Sequence, residues 1–271
     1  MFRIENYVAM TAMSLGVVSA SALTDAHAQT CHDMPVALAT NKSRDAGPAP
    51  LGISFTLRNQ FTSLPGGTFV GSNPQVGYQR GRWAGVVGLP MYRTAVGEAV
   101  TGVGDVTMEA SAVAWRSQHM ATAVAVTVTA PTGDASASLG MGHWMVMPSA
   151  ALSWQHRRWT STAMLGGGKA LGDRSGAHHN HGPTGFPMVN PMNQFEANGM
   201  VRLAVTATAQ LAPEVMASLA LPLDDTGVAR AIAGVGATYA QGPWRLRPAM
   251  QLGVIGTPFI ARITFDVGYA L

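Results

Sequence analysis

The sequence predicts an all-β protein: an antiparallel up-and-down transmembrane β-barrel of about 12 strands, with both termini periplasmic. Three observations predict it. Large apolar residues alternate with small or polar ones through most of the chain, the pattern of strands whose two faces meet different surroundings. Only 11% of the residues are charged, against about 25% in a soluble domain, and a lipid-facing surface accounts for the deficit. Beyond the N-terminal segment no run of about 18 apolar residues occurs. The backbone polar groups must then be satisfied in lipid by a closed sheet rather than by helices.

The N-terminus reads as a secretory signal. Arg3 precedes an apolar run over residues 13–22, and Ala26-His27-Ala28 supplies an A-x-A cleavage site. Residues 1–28 are the expected signal peptide, cleaved near Ala28. The remaining chain carries 16 basic and 12 acidic residues, a balance of +4. These charges are scattered singly, which argues against nucleic acid as a partner. Cys31 is the sole cysteine, so no intramolecular disulfide can form. The preceding Ala28-Gln29-Thr30 lacks the residues of a lipidation site. Residues 29–50 are polar, proline-bearing and aperiodic, and read as a periplasmic arm or plug. The barrel is expected over residues 51–271.

The first strand sets Ile53, Phe55, Leu57 and Phe61 against Ser54, Thr56, Arg58 and Gln60. Pro65-Gly66-Gly67 turns the chain into a second strand over residues 68–80. Arg80-Gly81-Arg82 starts a third, with Trp83, Val87, Leu89 and Met91 on one face. Residues 97–104 read as a connection. The fourth strand points Val106, Met108, Ala110, Ala112 and Ala114 outward, and Asp105, Thr107, Glu109 and Ser111 inward. The hairpin of residues 119–154 shows the alternation most clearly. Val124, Val126 and Val128 share a face, Pro131-Thr132-Gly133-Asp134 stops the strand, and Trp144, Val146, Leu152 and Trp154 mark the return. Trp159, Ala163 and Leu165 follow, then a long outer loop over residues 169–196. Val201, Leu203, Val205, Ala207 and Leu211 resume opposite Arg202, Thr206 and Gln210. Near the end, Trp244, Leu246, Met250, Leu252 and Val254 oppose Arg245, Arg247 and Gln251. Phe259, Ala261, Ile263, Phe265, Val267 and Tyr269 oppose Arg262, Thr264 and Asp266. Connections at residues 80–82, 116–119, 155–158, 210–213 and 241–243 are tight, and those between them mostly longer. That is the alternation of short periplasmic turns and long outer loops in an even-stranded barrel.

Three short motifs resemble one family. Gly102-Val103-Gly104-Asp105-Val106, Ala130-Pro131-Thr132-Gly133-Asp134 and Leu139-Gly140-Met141-Gly142 are similar to a bacterial outer-membrane transporter family named for the meta-pathway of phenol degradation. The insertion Ala177-His178-His179-Asn180-His181-Gly182, with Val189-Asn190-Pro191-Met192, resembles a branch associated with metal handling. The resemblance covers roughly residues 50–271 and implies an outer-membrane barrel with a link to metal; the expected partners are outer-membrane lipid, the barrel-assembly machinery and a small solute. The terminal Leu271 departs from the Phe or Trp that usually ends such chains.

The strand phases point Arg58, Arg202, Arg230, Arg245, Arg247 and Arg262 into the lumen, against Asp105, Glu109 and Asp266. Charges lining a pore select by sign, so the excess of arginine favours anions. The bland reading is a cross-strand ladder of ion pairs that fills a narrow barrel. Both readings stay open on the sequence. His178, His179 and His181, with Met188 and Met192, offer imidazole and thioether ligands suited to Cu or Zn, against a plain solvated loop. No other cofactor is expected. Catalysis is not expected: His119 and His156 fall at turns, and no Gly-x-Ser-x-Gly elbow occurs. The expected function is therefore passive, anion-favouring passage of a small solute through the bacterial outer membrane. The alternatives are a non-conducting barrel with a metal-binding loop, or an outer-membrane hydrolase.

Overall fold

Period-two alternation is realised as strands along almost every stretch of the computed structural model, which describes residues 52–137, 139–172, 195–224, 228–257 and 259–271. The first half holds β1 (Gly52–Leu64), β2 (Gly67–Arg80), β3 (Trp83–Gly88), β4 (Met91–Val96), β5 (Ala99–Val103), β6 (Val106–Arg116) and β7 (Met120–Ala130). The second holds β8 (Trp144–His156), β9 (Trp159–Leu171), β10 (Phe195–Val205), β11 (Leu211–Pro222), β12 (Arg230–Gln241), β13 (Trp244–Ile255) and β14 (Ala261–Ala270).

These segments make twelve staves. β2 pairs along one edge with both β3 and β4 (Gln75↔Gly88, then Ser72↔Met91), so β3 and β4 are one stave broken at Leu89-Pro90. β5 and β6 continue one another across Gly104-Asp105, pairing with β4 and β3 in turn. Proline has no N–H to give the ladder. Instead Leu89 N–H donates to the Pro74 carbonyl (3.1 Å) and Gly104 N–H to the Pro90 carbonyl (2.8 Å), carrying pairing past the break. Every neighbouring pair is antiparallel, and β1 pairs with β14 from Ser54↔Ala270 to Ser63↔Ala261. The sheet closes on itself, leaving few unpaired edges.

Several boundaries differ from those expected. Residues 97–104 are not a connection: β4 and β5 pair from Met91↔Val103 to Ala95↔Ala99, and the turn shrinks to Gly97-Glu98. The glycine-rich sequence concealed a strand. β6 shifts register between Val113 and Trp115, so Trp115 takes the outward place that strict alternation denies it. β9 extends to Leu171 and β10 begins at Phe195, so Lys169 and Glu196 are strand residues rather than loop. The tight turn expected at 210–213 lies at 206–210 instead, with Thr208 Oγ1 accepting from the N–H groups of Gln210 (3.2 Å) and Leu211 (3.1 Å). Leu211 therefore opens β11 and does not belong to the preceding strand. Phe259, expected to face lipid, is buried at 3% exposure just before β14.

The outer surface is apolar. Val215, Val235, Met250, Val126, Leu219 and Ile263 are all exposed, far more contiguous apolar surface than a water-soluble monomer shows. Their neighbours along each strand, such as Glu214, Ser218, Gln251 and Thr264, are buried inside. A barrel with an oily exterior and a polar interior spans a membrane. Trp83, Trp115, Trp154, Trp159, Tyr239, Trp244 and Tyr78 ring the short-turn end on the outside, Trp144 and Phe195 the long-loop end. These are the two aromatic girdles of a bilayer-spanning barrel. Both the start of β1 and the end of β14 lie at the short-turn end.

Candidate functional site

The inner wall carries paired charge. On β1 and β14, opposed at Arg58↔Asp266, the Arg58 guanidinium reaches the Asp266 carboxylate at 3.3 Å. β10, β11 and β13 converge on Glu214, whose carboxylate takes Arg247 at 2.7 Å and Arg202 at 3.7 Å. Arg230 of β12 is paired with Glu196 of β10, both nearly inaccessible to water. Arg262 donates from Nε to Thr62 Oγ1 (3.2 Å), and its guanidinium lies 4.3 Å from the Phe259 ring centre. Arg245 faces the interior next to Arg247, and Glu109 accepts from Thr127 Oγ1 at 3.5 Å. Such pairs persist inside a low-dielectric wall because each charge removed from water gains a close partner.

Arg58, Arg202, Arg230, Arg245, Arg247 and Arg262 thus all point inward, as do Glu109 and Asp266. Asp105 is inward too but has another job. Its carboxylate accepts the N–H groups of Gly133 (2.9 Å) and Met141 (2.6 Å). Thr132 Oγ1 meanwhile donates to the Gly104 carbonyl (3.1 Å) and accepts from Val106 N–H (2.8 Å). The three motifs separated in sequence at 102–106, 130–134 and 139–142 are therefore one knot, tying the β7–β8 loop across the β5–β6 break. A Cβ on Gly140 would stand 2.6 Å from the Asp105 carboxylate, and one on Gly104 only 2.1 Å from the Tyr92 ring. The glycines let three backbones meet. Asp134 acts locally: Ser136 Oγ (2.6 Å) and the N–H groups of Ala137 and Ser136 hold its carboxyl below the ordinary carboxylate range.

The knot folds Leu139 and Met141 inward. Leu139 joins Leu64, Phe69, Tyr92, Ile232 and Phe259 in a buried apolar cluster at the long-loop mouth, with the Phe69 and Tyr92 rings 5.0 Å apart. A second apolar strip, Ala121, Ala123, Ala151, Met164 and Met200, lines β7–β10 lower down. The interior is thus charged on one side and apolar on the other. Sequence reasoning missed Glu196, Glu214 and the mouth cluster. Glu214 was recoverable, since it alternates with Val215 and Ala217 along the strand that Leu211 opens. The mouth cluster had no such signal, because loop residues have no period.

His178, His179, His181, Met188 and Met192 lie outside the described residues, as do the signal segment, the arm and Cys31. Among the described residues no group of three or more His, Cys, Asp or Glu could hold a metal ion.

A closed twelve-stave sheet with an oily exterior and an ion-paired interior defines the architecture of bacterial outer-membrane channels. The solved structures agree. An outer-membrane channel from Pseudomonas putida F1 is similar at TM-score 0.64 and 13% identity, over 84% of this chain and 99% of that one. The NanC porin is similar at TM-score 0.54 and 9% identity (80% and 98% covered), and the KdgM porin at 0.53 and 7% (80% and 98%). No curated protein matches in sequence. Residues 19–168, more than half the chain, match the family described as "Putative MetA-pathway of phenol degradation", and the chain belongs to that family.

Proposed function

We propose that the protein is exported by its N-terminal signal, is inserted in the outer membrane with its short turns toward the periplasm, and gives passive passage to a small solute, with anions favoured. The observation that carries this reading is the composition of the enclosed wall. Seven arginines face inward among the described residues, Arg116 included because it pairs with the buried Ala121 across β6 and β7, against Glu109, Glu196, Glu214 and Asp266 and the amide-bound Asp105. Seven guanidiniums against five carboxylates, with Glu214 shared between two of them, leave the field along the path positive. The Ala/Met strip opposite gives an organic solute apolar contact while arginine holds its charge. No step of covalent chemistry is needed.

Planar-bilayer recordings of the purified full chain test it. Discrete conductance steps are expected, with a reversal potential under a salt gradient that favours the anion. Arg245→Glu, at the short-turn end, is expected to move that potential toward cation preference without altering the fold. A silent bilayer at verified insertion, or a reversal potential unmoved by Arg245→Glu, contradicts the reading.

A further inference from the structure

Charge on the outside of such a barrel is rare, and where it occurs it needs a reason. Among the described residues, the outward positions within the strands carry two charges away from the short-turn end, Arg93 on β4 and Lys169 on β9, both exposed. Both are basic. Each stands ten residues above a girdle tryptophan, Arg93 above Trp83 and Lys169 above Trp159. Alternation is unbroken along both staves. At about 3.3 Å per residue and a tilt of about 40°, ten residues climb about 25 Å. That is the height of the whole apolar band, so both cations lie at its long-loop edge. Lys169 pairs in register with Phe195 of the upper girdle, its Nζ 5.9 Å from the ring centre. Neither cation has a carboxylate partner among the described residues.

Arg93 also borders a groove of about 420 Å³ in the outer surface. Its walls are Phe61, Val70, Met91, Ile263 and Phe265, and a polar patch of Asn59, Ser72 and Thr101 lies beside Arg93. Ser72 Oγ donates to Asn59 Oδ1 at 3.0 Å, and Asn59 Nδ2 donates to the Phe265 carbonyl at 3.4 Å. A similar groove lower on the barrel, between β8 and β11, has only apolar or hydroxyl-bearing residues on its outward rim. The cation is therefore specific to the groove at the headgroup level.

We propose that this groove holds a phosphate-bearing membrane lipid of the leaflet facing the long loops. Its acyl chain lies along Phe61, Val70 and Ile263, and its phosphate is bound by Arg93, with Lys169 contacting a second headgroup across the barrel. A guanidinium at the edge of hydrocarbon binds phosphate through charge-assisted hydrogen bonds, and the apolar walls select a lipid over free phosphate. The inference rests on the barrel spanning a bilayer and is independent of conduction, so a silent bilayer leaves it standing.

Native mass spectrometry of the full chain in mild detergent tests it, with bis-phosphorylated lipid A and its dephosphorylated form as probes and inorganic phosphate as competitor. Retention of lipid A is expected, about tenfold above the dephosphorylated form and about tenfold lower in Arg93→Gln. Arg93→Lys is expected to recover part of it, and Lys169→Gln to lower it less. Arg93 is exposed, so a retained heat-induced gel shift will report that Arg93→Gln folds. Equal retention of the two lipid forms, unchanged retention in folded Arg93→Gln, or full displacement by inorganic phosphate overturns the proposal.

Discussion

Replacing Val215 by arginine is expected to destabilise the protein by about 2–4 kcal/mol, as measured by urea unfolding in phospholipid vesicles. Val215 is exposed on the outside of β11, in register with Val235 of β12, four residues above the girdle level of Leu211. That places it well inside the apolar band, where a guanidinium must give up water without a partner. The same change at Leu171, exposed at the long-loop end of β9, is expected to cost only about 0–1 kcal/mol. The depth dependence is the informative part. In a protein bathed in water, either exposed position accepts arginine within about 0.5 kcal/mol.

Glu196→Leu is expected to cost about 3–5 kcal/mol, because it leaves Arg230 charged and enclosed without its counter-ion. Glu196 is wholly inaccessible and Arg230 is 3% exposed. Arg230→Met alone is expected to destabilise for the mirror-image reason. The double variant Glu196→Leu/Arg230→Met is expected to recover most of the loss, since a well-packed apolar pair of similar volume replaces an ion pair at little net cost. Unfolding midpoints of the four proteins give the coupling directly. Additive losses would place both side chains in water and show that the interior there is wide and wet.

How much of this was legible in the sequence depends on what each residue has to obey. Side chains in a strand obey parity, and parity is visible: Arg58 opposite Leu57, Arg262 opposite Ile263 and Gln251 opposite Leu252 are placed by counting alone. Closure followed from the need to satisfy the backbone in lipid, which no open sheet can meet. Parity fails where the backbone slips. The register shift at Val113 put Trp115 outward, and the β4–β5 hairpin was hidden because Ala99-Val100-Thr101-Gly102-Val103 has too little contrast between its faces. Partner choice was not legible at all. That Arg247 takes Glu214 while Arg58 takes Asp266 depends on stagger between staves, which turn lengths alone do not specify. The knot at Asp105 is the instructive case: the three glycine-bearing motifs were visible as motifs, but nothing in the sequence joined them. Their purpose lies in one another, since Asp105 needs the amides of Gly133 and Met141, 28 and 36 residues away.

The central claim is that successive side chains face lipid and an enclosed interior by turns. Single cysteines introduced from Val215 to Ala220 on β11, in a Cys31→Ser background, can carry spin labels for collision measurements in vesicles. Labels at 215, 217 and 219 are expected to be relaxed strongly by lipid-dissolved oxygen and barely by a water-soluble nickel chelate, while those at 216, 218 and 220 are shielded from the oxygen of the lipid phase. Labels at 215, 217 and 219 that meet the nickel chelate freely, or a scan without a two-residue period, would contradict the account.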